Sequence, residues 1–245
     1  GDSRTPFYFA LLAVGLDITL NPLLIMGIGP FPKLGIAGSA AATLISQTFT
    51  LGVMLAYLYR TNSILVIRPS EWRLLIPDLT LVRALVFKGL PMGFQMIVIS
   101  LAAVTMVSFV NRYGVHTSAA YGAAAQLWTY VQMPAMALGG AVSSMAAQNV
   151  GAGRMDRVER VARSGALYAV LFTGIPVLAI YLADPWVLRA FLPGSSPSLP
   201  IAEHLNAYVL WGFVPLGVAF IFSGVVRATG SVWPPLLAMV ISLWG

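Results

Sequence analysis

The chain has 245 residues, of which 58% are hydrophobic and only 9% are charged. Soluble domains carry about 25% charged residues, so this composition excludes a water-soluble protein and predicts an integral membrane protein. The formal net charge of +6 comes from short basic clusters between apolar runs, which excludes the continuous basic stripe of a nucleic-acid-binding protein. The lack of cysteine excludes thiol catalysis, thiolate metal sites and disulfides.

Residues 7–28 form the first apolar run, which is long enough to cross a bilayer as a helix. Asp17 lies near its centre and Asn21 follows one helical turn later, so the two side chains share a face. A charge at this depth costs at least about 2.5–3.5 kcal/mol on insertion scales, so such residues usually face a cavity or a partner. We interpret Asp17 as a carboxylate that either ionises and holds a cation or carries a proton. The alternative is a neutral Asp17 hydrogen-bonded to Asn21 or to a neighbouring helix.

The second span and the interval after it predict the domain organisation. Residues 35–59 contain no charged residue and begin with small residues that let helices approach closely, and Thr43 lies about two turns into this span. Residues 60–88 are the longest polar interval, typical of a segment at the membrane interface. We predict that 1–59 is the end of an amino-terminal lobe with two transmembrane helices, that 60–88 is a cytoplasmic inter-lobe linker, and that 89–245 is a carboxy-terminal lobe.

The predicted carboxy-terminal lobe contains four transmembrane helices and a truncated fifth, at residues 89–110, 117–153, 164–183, about 205–226 and 231–244. The run 117–153 is long for one span and short for two. If it is a single long or tilted helix, one set of alternate loops holds 11 of the 14 basic residues. This asymmetry favours the single helix and predicts that the long basic loops are cytoplasmic in a multi-pass protein of the plasma (inner) membrane.

Polar or adaptable side chains lie within the third and fourth spans. Such residues suit a cavity that accepts varied organic compounds, although helix packing explains them nearly as well. The candidate substrate-cavity residues are Gln95, Gln126, Tyr130, Gln132 and Met133.

An ordered set of short motifs resembles one family of transporters. The motifs are GDSRTP at residues 1–6, LNPLLI at 20–25, LGIAG at 34–38 followed by Ala42 and Thr43, GLP at 89–91, QNVGAG at 148–153 and RATG at 227–230. Over nearly the whole chain this set is similar to the multidrug and toxic compound extrusion (MATE) transporters. The resemblance implies twelve spans in two six-helix lobes that are parallel repeats. This chain would be spans five to eleven, with the first lobe and the last span incomplete.

The resemblance also implies a cation site. In some family members an amino-terminal-lobe site uses an acid on the first span, an Asn and an Asp one turn apart on the fifth, and a Thr on the sixth. Asp17, Asn21 and Thr43 fall at the matching places, with the Asn and the Asp exchanged, and the first-span acid lies outside this chain. The third span offers Gln95 but no acid, so we expect no coupling site in the carboxy-terminal lobe.

The sequence therefore predicts a secondary active transporter that exports organic, often cationic, drugs or toxic metabolites by antiport with sodium ions or protons. We expect small cationic or amphipathic substrates and the lipid bilayer as partners, and no nucleic acid, no cofactor and no metal beyond a sodium ion. We do not expect an enzyme, because no loop combines a nucleophile, a base and an orienting group. Two alternatives stay open: a flippase for lipids or lipid-linked precursors, which should carry basic residues inside its bundle, and a non-transporting membrane scaffold.

Overall fold

The computed structural model describes residues 4–63, 65–68, 70–71, 76–194 and 196–244. Residues 1–3 of the first motif and Arg73 of the predicted linker lie outside these ranges. Within them the chain forms eight α-helices and no β-strand, which confirms the all-α fold class. The chain divides into two compact units, Gly1–Pro77 and Asp78–Gly245.

The first unit is built on two helices, α1 (Arg4–Met26) and α2 (Ile36–Arg60). Glycines with positive φ stand at both ends of the connection, Gly27 at 71° and Gly35 at 57°. Residues with a side chain rarely adopt this backbone conformation. The connection also caps α1, because the Leu34 N–H donates to the Leu24 carbonyl oxygen at 2.9 Å. The turn therefore returns the chain directly along α1.

Small residues on α2 set the distance between α1 and α2. The buried residues of α2 are four positions apart, at Gly38, Ala42, Ser46 and Thr50. A Cβ on Gly38 would stand only 2.5 Å from the Leu24 carbonyl oxygen, so the two backbones are in contact at this point. This contact confirms the close approach expected from the small residues of the second span.

The second unit contains α3 (Leu79–Asn111), α4 (Val115–Gly151), α5 (Met155–Arg189), α6 (Ser198–Val209), a 3₁₀ turn (Leu210–Gly212), α7 (Phe213–Ala228) and α8 (Trp233–Trp244). The central helix is α4, which packs against α5, α6 and α7, while α3 packs against α8. Asp78 caps α3 by accepting the Thr80 N–H at 2.8 Å.

The helices differ from the predicted spans mainly at their ends. The run 117–153 is one continuous helix, as predicted. In contrast, α3 begins at Leu79 rather than at residue 89, and α5 begins at Met155 rather than at residue 164. Charged side chains at these ends interrupt an apolar run without ending a helix, because long basic side chains can reach from a membrane helix into water. The sixth predicted span consists of α6, the 3₁₀ turn and α7.

Five helical segments of the described chain are long and apolar enough to cross a membrane: Arg4–Met26, Ile36–Arg60, Leu79–Asn111, Met155–Ala183 and Ser198–Ala228. The protein is therefore an integral membrane protein. The helix α4 is not one of the five, although its 37 residues are long enough, because Gly, Ser, Thr and Gln residues lower its hydropathy. Its buried face lies at the centre of the second unit.

Candidate functional site

Asp17 and Thr43 meet between α1 and α2. Thr43 Oγ1 donates a hydrogen bond to Asp17 Oδ1 at 3.0 Å, and the same hydroxyl lies 3.2 Å from the Ser39 carbonyl oxygen. A threonine hydroxyl carries one proton, so the two acceptors compete for it. Two of the residues predicted to share a cation site are thus in direct contact, on separate helices.

Asn21 joins this site through the backbone. Its Nδ2 donates to the Asp17 carbonyl oxygen at 3.1 Å, so the amide nitrogen bonds to the main chain and not to the carboxyl group. The carboxyl group is instead held by the neighbouring helix through Thr43. That hydrogen bond fits both readings of Asp17, because an ionised and a neutral carboxyl group can each accept it.

The Asp17 carboxyl group has no basic partner among the described residues. Asp17 is partly buried and Thr43 is exposed on the surface of the first unit. The ion pairs found in the described chain lie at the start of α5, between exposed side chains four positions apart. Within an apolar helix an ionised carboxylate is costly unless a cation balances its charge. The site is therefore suited to a proton or to a small cation.

Pro22 adds an oxygen atom that the sequence patterns did not single out. It lies inside α1 and has no N–H, so it cannot form the helical hydrogen bond to the Ile18 carbonyl oxygen four residues earlier. Ile18 is the next residue after Asp17, so the carbonyl oxygen to which Pro22 cannot donate belongs to the sequence neighbour of the candidate residue. The sequence did contain a signal for this acceptor, because a proline follows Asp17 within an apolar run. Pro22 belongs to the motif LNPLLI, however, which was interpreted only as a family likeness.

The oxygen atoms of this region match the ligands of a hard cation. Carboxylate, hydroxyl, amide and main-chain carbonyl oxygens are the groups that such ions prefer. Asp17, Thr43, Asn21 and Ile18 each supply one of these four kinds. The described residues contain no group of three or more His, Cys, Asp or Glu side chains that could hold a metal ion. A singly charged ion or a proton is the species that one carboxylate can neutralise.

The predicted substrate-cavity residues lie in different places. Gln95 lines a cavity of about 270 Å³ between α3, α7 and α8. Gln126, Tyr130 and Met133 share an exposed face of α4, whereas Gln132 is partly buried and its Nε2 lies 3.4 Å from the Trp128 carbonyl oxygen. The structure does not gather the five residues around the cavity that Gln95 lines.

A buried polar network holds α6 against α4 and α5. Trp128 Nε1 donates to Asn206 Oδ1 at 2.9 Å, and Asn206 is fully buried. The Tyr181 hydroxyl lies 3.1 Å and 2.8 Å from the carbonyl oxygens of Asn206 and Ala207, just before the 3₁₀ turn. Buried polar groups that find partners inside the protein support its structure. The sequence did not indicate this role, because Trp128 and Asn206 are 78 positions apart.

Comparison with known proteins places the chain in a family. The model of the MatE family matches residues 91–245, which is more than half of the chain. The chain belongs to the MATE family. This membership confirms the resemblance of the motifs, and the matched region does not include Asp17, Asn21 or Thr43.

Relatives within the MATE family match the whole chain. It is 40% identical over 245 residues to "Probable multidrug resistance protein YoeA" of Bacillus subtilis (strain 168), which covers 100% of this chain and 53% of that protein. It is 33% identical over 248 residues to "Probable multidrug resistance protein YpnP" of the same organism, with 100% and 53% covered. The chain thus spans about half the length of the curated relatives it matches.

A solved MATE structure shares the fold. A mutant of the Vibrio cholerae MATE transporter VcmN superposes with a TM-score of 0.87 at 16% sequence identity, over 100% of this chain and 53% of that one. At this identity the likeness shows the fold alone. The matched proteins are resistance proteins and a transporter, which agrees with the prediction that the chain is not an enzyme.

Proposed function

We propose that the protein is a secondary active transporter of the MATE family that exports organic, often cationic, drugs or toxic metabolites by antiport with sodium ions or protons. The observation that carries this proposal is the hydrogen bond between Asp17 and Thr43 on two membrane-length helices. The carboxyl group has no ion-pair partner in the described chain, so a mobile cation or proton is the natural counter-charge. The multidrug resistance proteins that the chain resembles support organic compounds as the exported class.

In this proposal Asp17 carries the coupling ion and Thr43 responds to it. The Thr43 hydroxyl has the Ser39 carbonyl oxygen as a second acceptor at 3.2 Å. When a cation arrives, the hydroxyl can keep its proton on Ser39 and offer an oxygen lone pair to the ion. An ion that binds one of two conformations more tightly shifts the population toward it, and the substrate shifts the population toward the other. Alternating access then couples the two movements.

Sodium and protons make different demands on the site. A sodium ion requires several oxygen ligands, so Thr43, Asn21 and the Ile18 carbonyl group would share its coordination with Asp17. A proton needs only the Asp17 carboxyl group. Replacing Asn21 with leucine should therefore weaken sodium-driven export strongly and proton-driven export little.

We also propose the orientation of the chain in the plasma (inner) membrane. The first unit would be the end of an amino-terminal lobe, with the interval 60–88 as a cytoplasmic linker and 89–245 as the carboxy-terminal lobe. The basic residues that support this orientation lie at the start of α1, in the linker, around the junction of α4 and α5, and at the end of α7. Cysteines introduced singly at Lys33 and at Arg157 should label from opposite sides of sealed vesicles.

The decisive experiment is export by the full-length protein carrying Asp17→Asn. Loading vesicles with a fluorescent cationic dye and applying a sodium or proton gradient gives the rate of ion-driven export. We expect Asp17→Asn to reduce this rate by at least about tenfold, because the amide cannot balance a cation or release a proton.

Asp156→Asn is the matched control, since it makes the same chemical change at an exposed carboxylate on α5. Its export rate should equal that of the unchanged protein. Both variants must reach the membrane in equal amounts. Unchanged gradient-driven export by a well-inserted Asp17→Asn variant would overturn the coupling role and favour a scaffold.

A further inference from the structure

We propose that the cavity between α3, α7 and α8 binds the headgroup of an anionic phospholipid, with Arg227 as the residue that meets the phosphate. The inference concerns a separate site and does not rest on Asp17 or on the export of drugs.

The cavity is built from one face of each helix. Its α7 wall includes Phe220, Ser223 and Arg227, and its α8 wall includes Met239 and Ser242. These residues recur at three, four or seven positions, the spacing that places side chains on one side of a helix. Gln95 of α3 closes the third side.

Arg227 is the only charged side chain in this lining, as far as the described residues show. It is partly buried, and no hydrogen bond or ion pair of its guanidinium group with another described side chain is found. An arginine in the last turn of a helix also offsets the helix dipole, but that role needs only an exposed side chain. A guanidinium group that lines a cavity instead presents a planar set of donors to an oxyanion.

A second cation stands at the same end of the cavity. Lys88 Nζ lies 3.7 Å from the point where a Cβ on Gly230 would stand, beside the turn that follows Arg227. The Ser223 and Ser242 hydroxyls and the Gln95 amide add neutral donors along the cavity. Since no carboxylate belongs to the lining among the residues that the structure describes, the site favours anions.

The rest of the cavity is apolar and small. Phe220 and Met239 form walls that suit hydrocarbon rather than water. Pockets for drug-sized ligands usually enclose about 300–1,000 Å³, and this cavity encloses about 270 Å³. It can hold a phosphate headgroup and the beginning of its chains, while the remainder of the ligand stays outside.

The surroundings of the cavity favour a membrane lipid as the molecule that carries the headgroup. The helix α3 exposes apolar side chains along its length, including Met92, Met96 and Ile99. An apolar surface of this kind on a membrane-length helix suits contact with acyl chains. Chains that leave the cavity would therefore continue along apolar helix surface. Arg227 lies just past the predicted span 205–226, so the sequence alone indicated only a role in membrane topology. Its place on the cavity wall gives it a second role in this proposal.

The test is lipid binding by the purified full-length protein in mild detergent, measured by native mass spectrometry. Phosphatidylglycerol is titrated against phosphatidylcholine, and glycerol 3-phosphate is the probe without acyl chains. We expect one phosphatidylglycerol to bind at least about tenfold more tightly than phosphatidylcholine, as charge-assisted bidentate hydrogen bonds to phosphate predict. Arg227→Gln should abolish this preference, and glycerol 3-phosphate should bind far more weakly than the lipid.

Arg157→Gln is the matched control, because Arg157 is an exposed arginine in the basic cluster at the start of α5. It should change the preference less than twofold. Equal losses in both variants would show general surface attraction and overturn the site, as would equal binding of the two lipids. Binding of glycerol 3-phosphate as tight as that of the lipid would overturn the lipid as the ligand.

A second variant guards against failure of Arg227→Gln to fold. Ala238 is an exposed residue of the α8 wall, and Ala238→Leu fills the cavity without removing any charge. It should reduce phosphatidylglycerol binding by at least about fivefold, the equivalent of about 1 kcal/mol. Normal binding in this variant would contradict a headgroup inside the cavity.

Discussion

Each unit contains a partly buried ionisable side chain without a counter-ion among the described residues, a carboxyl group in the first unit and a guanidinium group in the second. In the first unit Asp17 is partly buried without a basic partner among the described residues, and in the second unit Arg227 is partly buried without an acidic one. A neutral hydroxyl group lies beside Asp17, and neutral donors and a second cation lie near Arg227, so neither side chain has a counter-ion beside it. A membrane makes each uncompensated charge expensive, so each site is expected to obtain its counter-charge from a mobile ligand.

The comparison also separates sites that bind from sites that support the fold. Asn206 is more deeply buried than Asp17, yet it is neutral and its side-chain oxygen accepts a hydrogen bond from Trp128. Ser46, Thr50 and Thr173 are buried hydroxyls for which the described residues offer no hydrogen-bond partner, although none carries a charge. Burial alone is therefore a poor guide to function in this chain. A charge in an apolar helix without a counter-ion is the more informative feature.

The largest expected effect comes from breaking the contact that brings α1 and α2 together. A side chain at Gly38 would collide with the Leu24 backbone, because its Cβ would stand 2.5 Å from the Leu24 carbonyl oxygen. We expect Gly38→Leu to prevent stable folding of the first unit, since overpacking at a backbone contact costs about 1–3 kcal/mol or more. Yield and thermal unfolding of the full-length protein in detergent measure this loss.

Gly52 provides the control for this substitution. It lies on the same helix, and nothing stands within 4 Å of the position that its Cβ would occupy. Gly52→Leu should therefore leave yield and thermal unfolding close to those of the unchanged protein. If the two leucine variants behave alike, close packing does not hold Asp17 and Thr43 in register.

The next prediction tests the Thr43 hydroxyl group of the proposed cation site separately from the shape of the side chain. Thr43→Val removes the hydrogen bond to Asp17 and keeps the size of the side chain. The bound sodium ion would lose the Thr43 oxygen as a ligand. A polar contact to a charged group contributes about 1.5–3 kcal/mol, so apparent sodium affinity should fall by about 10-fold to 100-fold. Transport rates at increasing sodium concentration measure this affinity in the full-length protein.

Thr48→Val is the matched control, because Thr48 is an exposed threonine on the same helix. It should not alter the sodium dependence. A Thr43→Val variant with unchanged sodium affinity and unchanged pH dependence would leave Thr43 a helix-packing residue only.

Much of the fold could be predicted because membrane helices follow simple rules of length and polarity. The basic residues of alternate loops correctly favoured one helix for 117–153, and the first apolar run, 7–28, covers most of α1. The start of α3 could not be read in this way, since Arg83 and Lys88 interrupt the apolar run while the helix continues through them. Apolar runs mark the membrane core, whereas helices extend beyond it.

The candidate sites were predictable in part for a similar reason. A carboxylate in the middle of a membrane span can be recognised from the sequence because its burial costs free energy. Its contact with Thr43 followed from the family likeness. The orientation of Asn21 toward the Asp17 backbone depends on a rotamer, which no pattern specifies. Arg227 was counted as a topological residue because its position on the wall of a cavity depends on how α3 and α8 pack.

The buried network of the second unit should produce a moderate change in stability and none in coupling. Trp128→Phe keeps an aromatic ring but removes the donor to Asn206 Oδ1. Loss of one partner in a buried hydrogen bond costs about 1–3 kcal/mol, so thermal unfolding of the protein should shift to lower temperature. The sodium dependence of transport should not change, because this network lies in the second unit and Asp17 lies in the first. A shift in sodium affinity would show that the two units communicate through Asn206.

The smallest expected effect concerns the exposed ion pair at the start of α5. Arg160 Nη2 lies 2.6 Å from Asp156 Oδ2, with both side chains largely in contact with solvent. Water and salt screen an ion pair that is this exposed, so it contributes little to stability. Asp156→Asn should therefore leave thermal unfolding unchanged at physiological ionic strength. A clear loss of stability in this variant would mean that the exposed ion pair between Arg160 and Asp156 contributes to the structure of this protein.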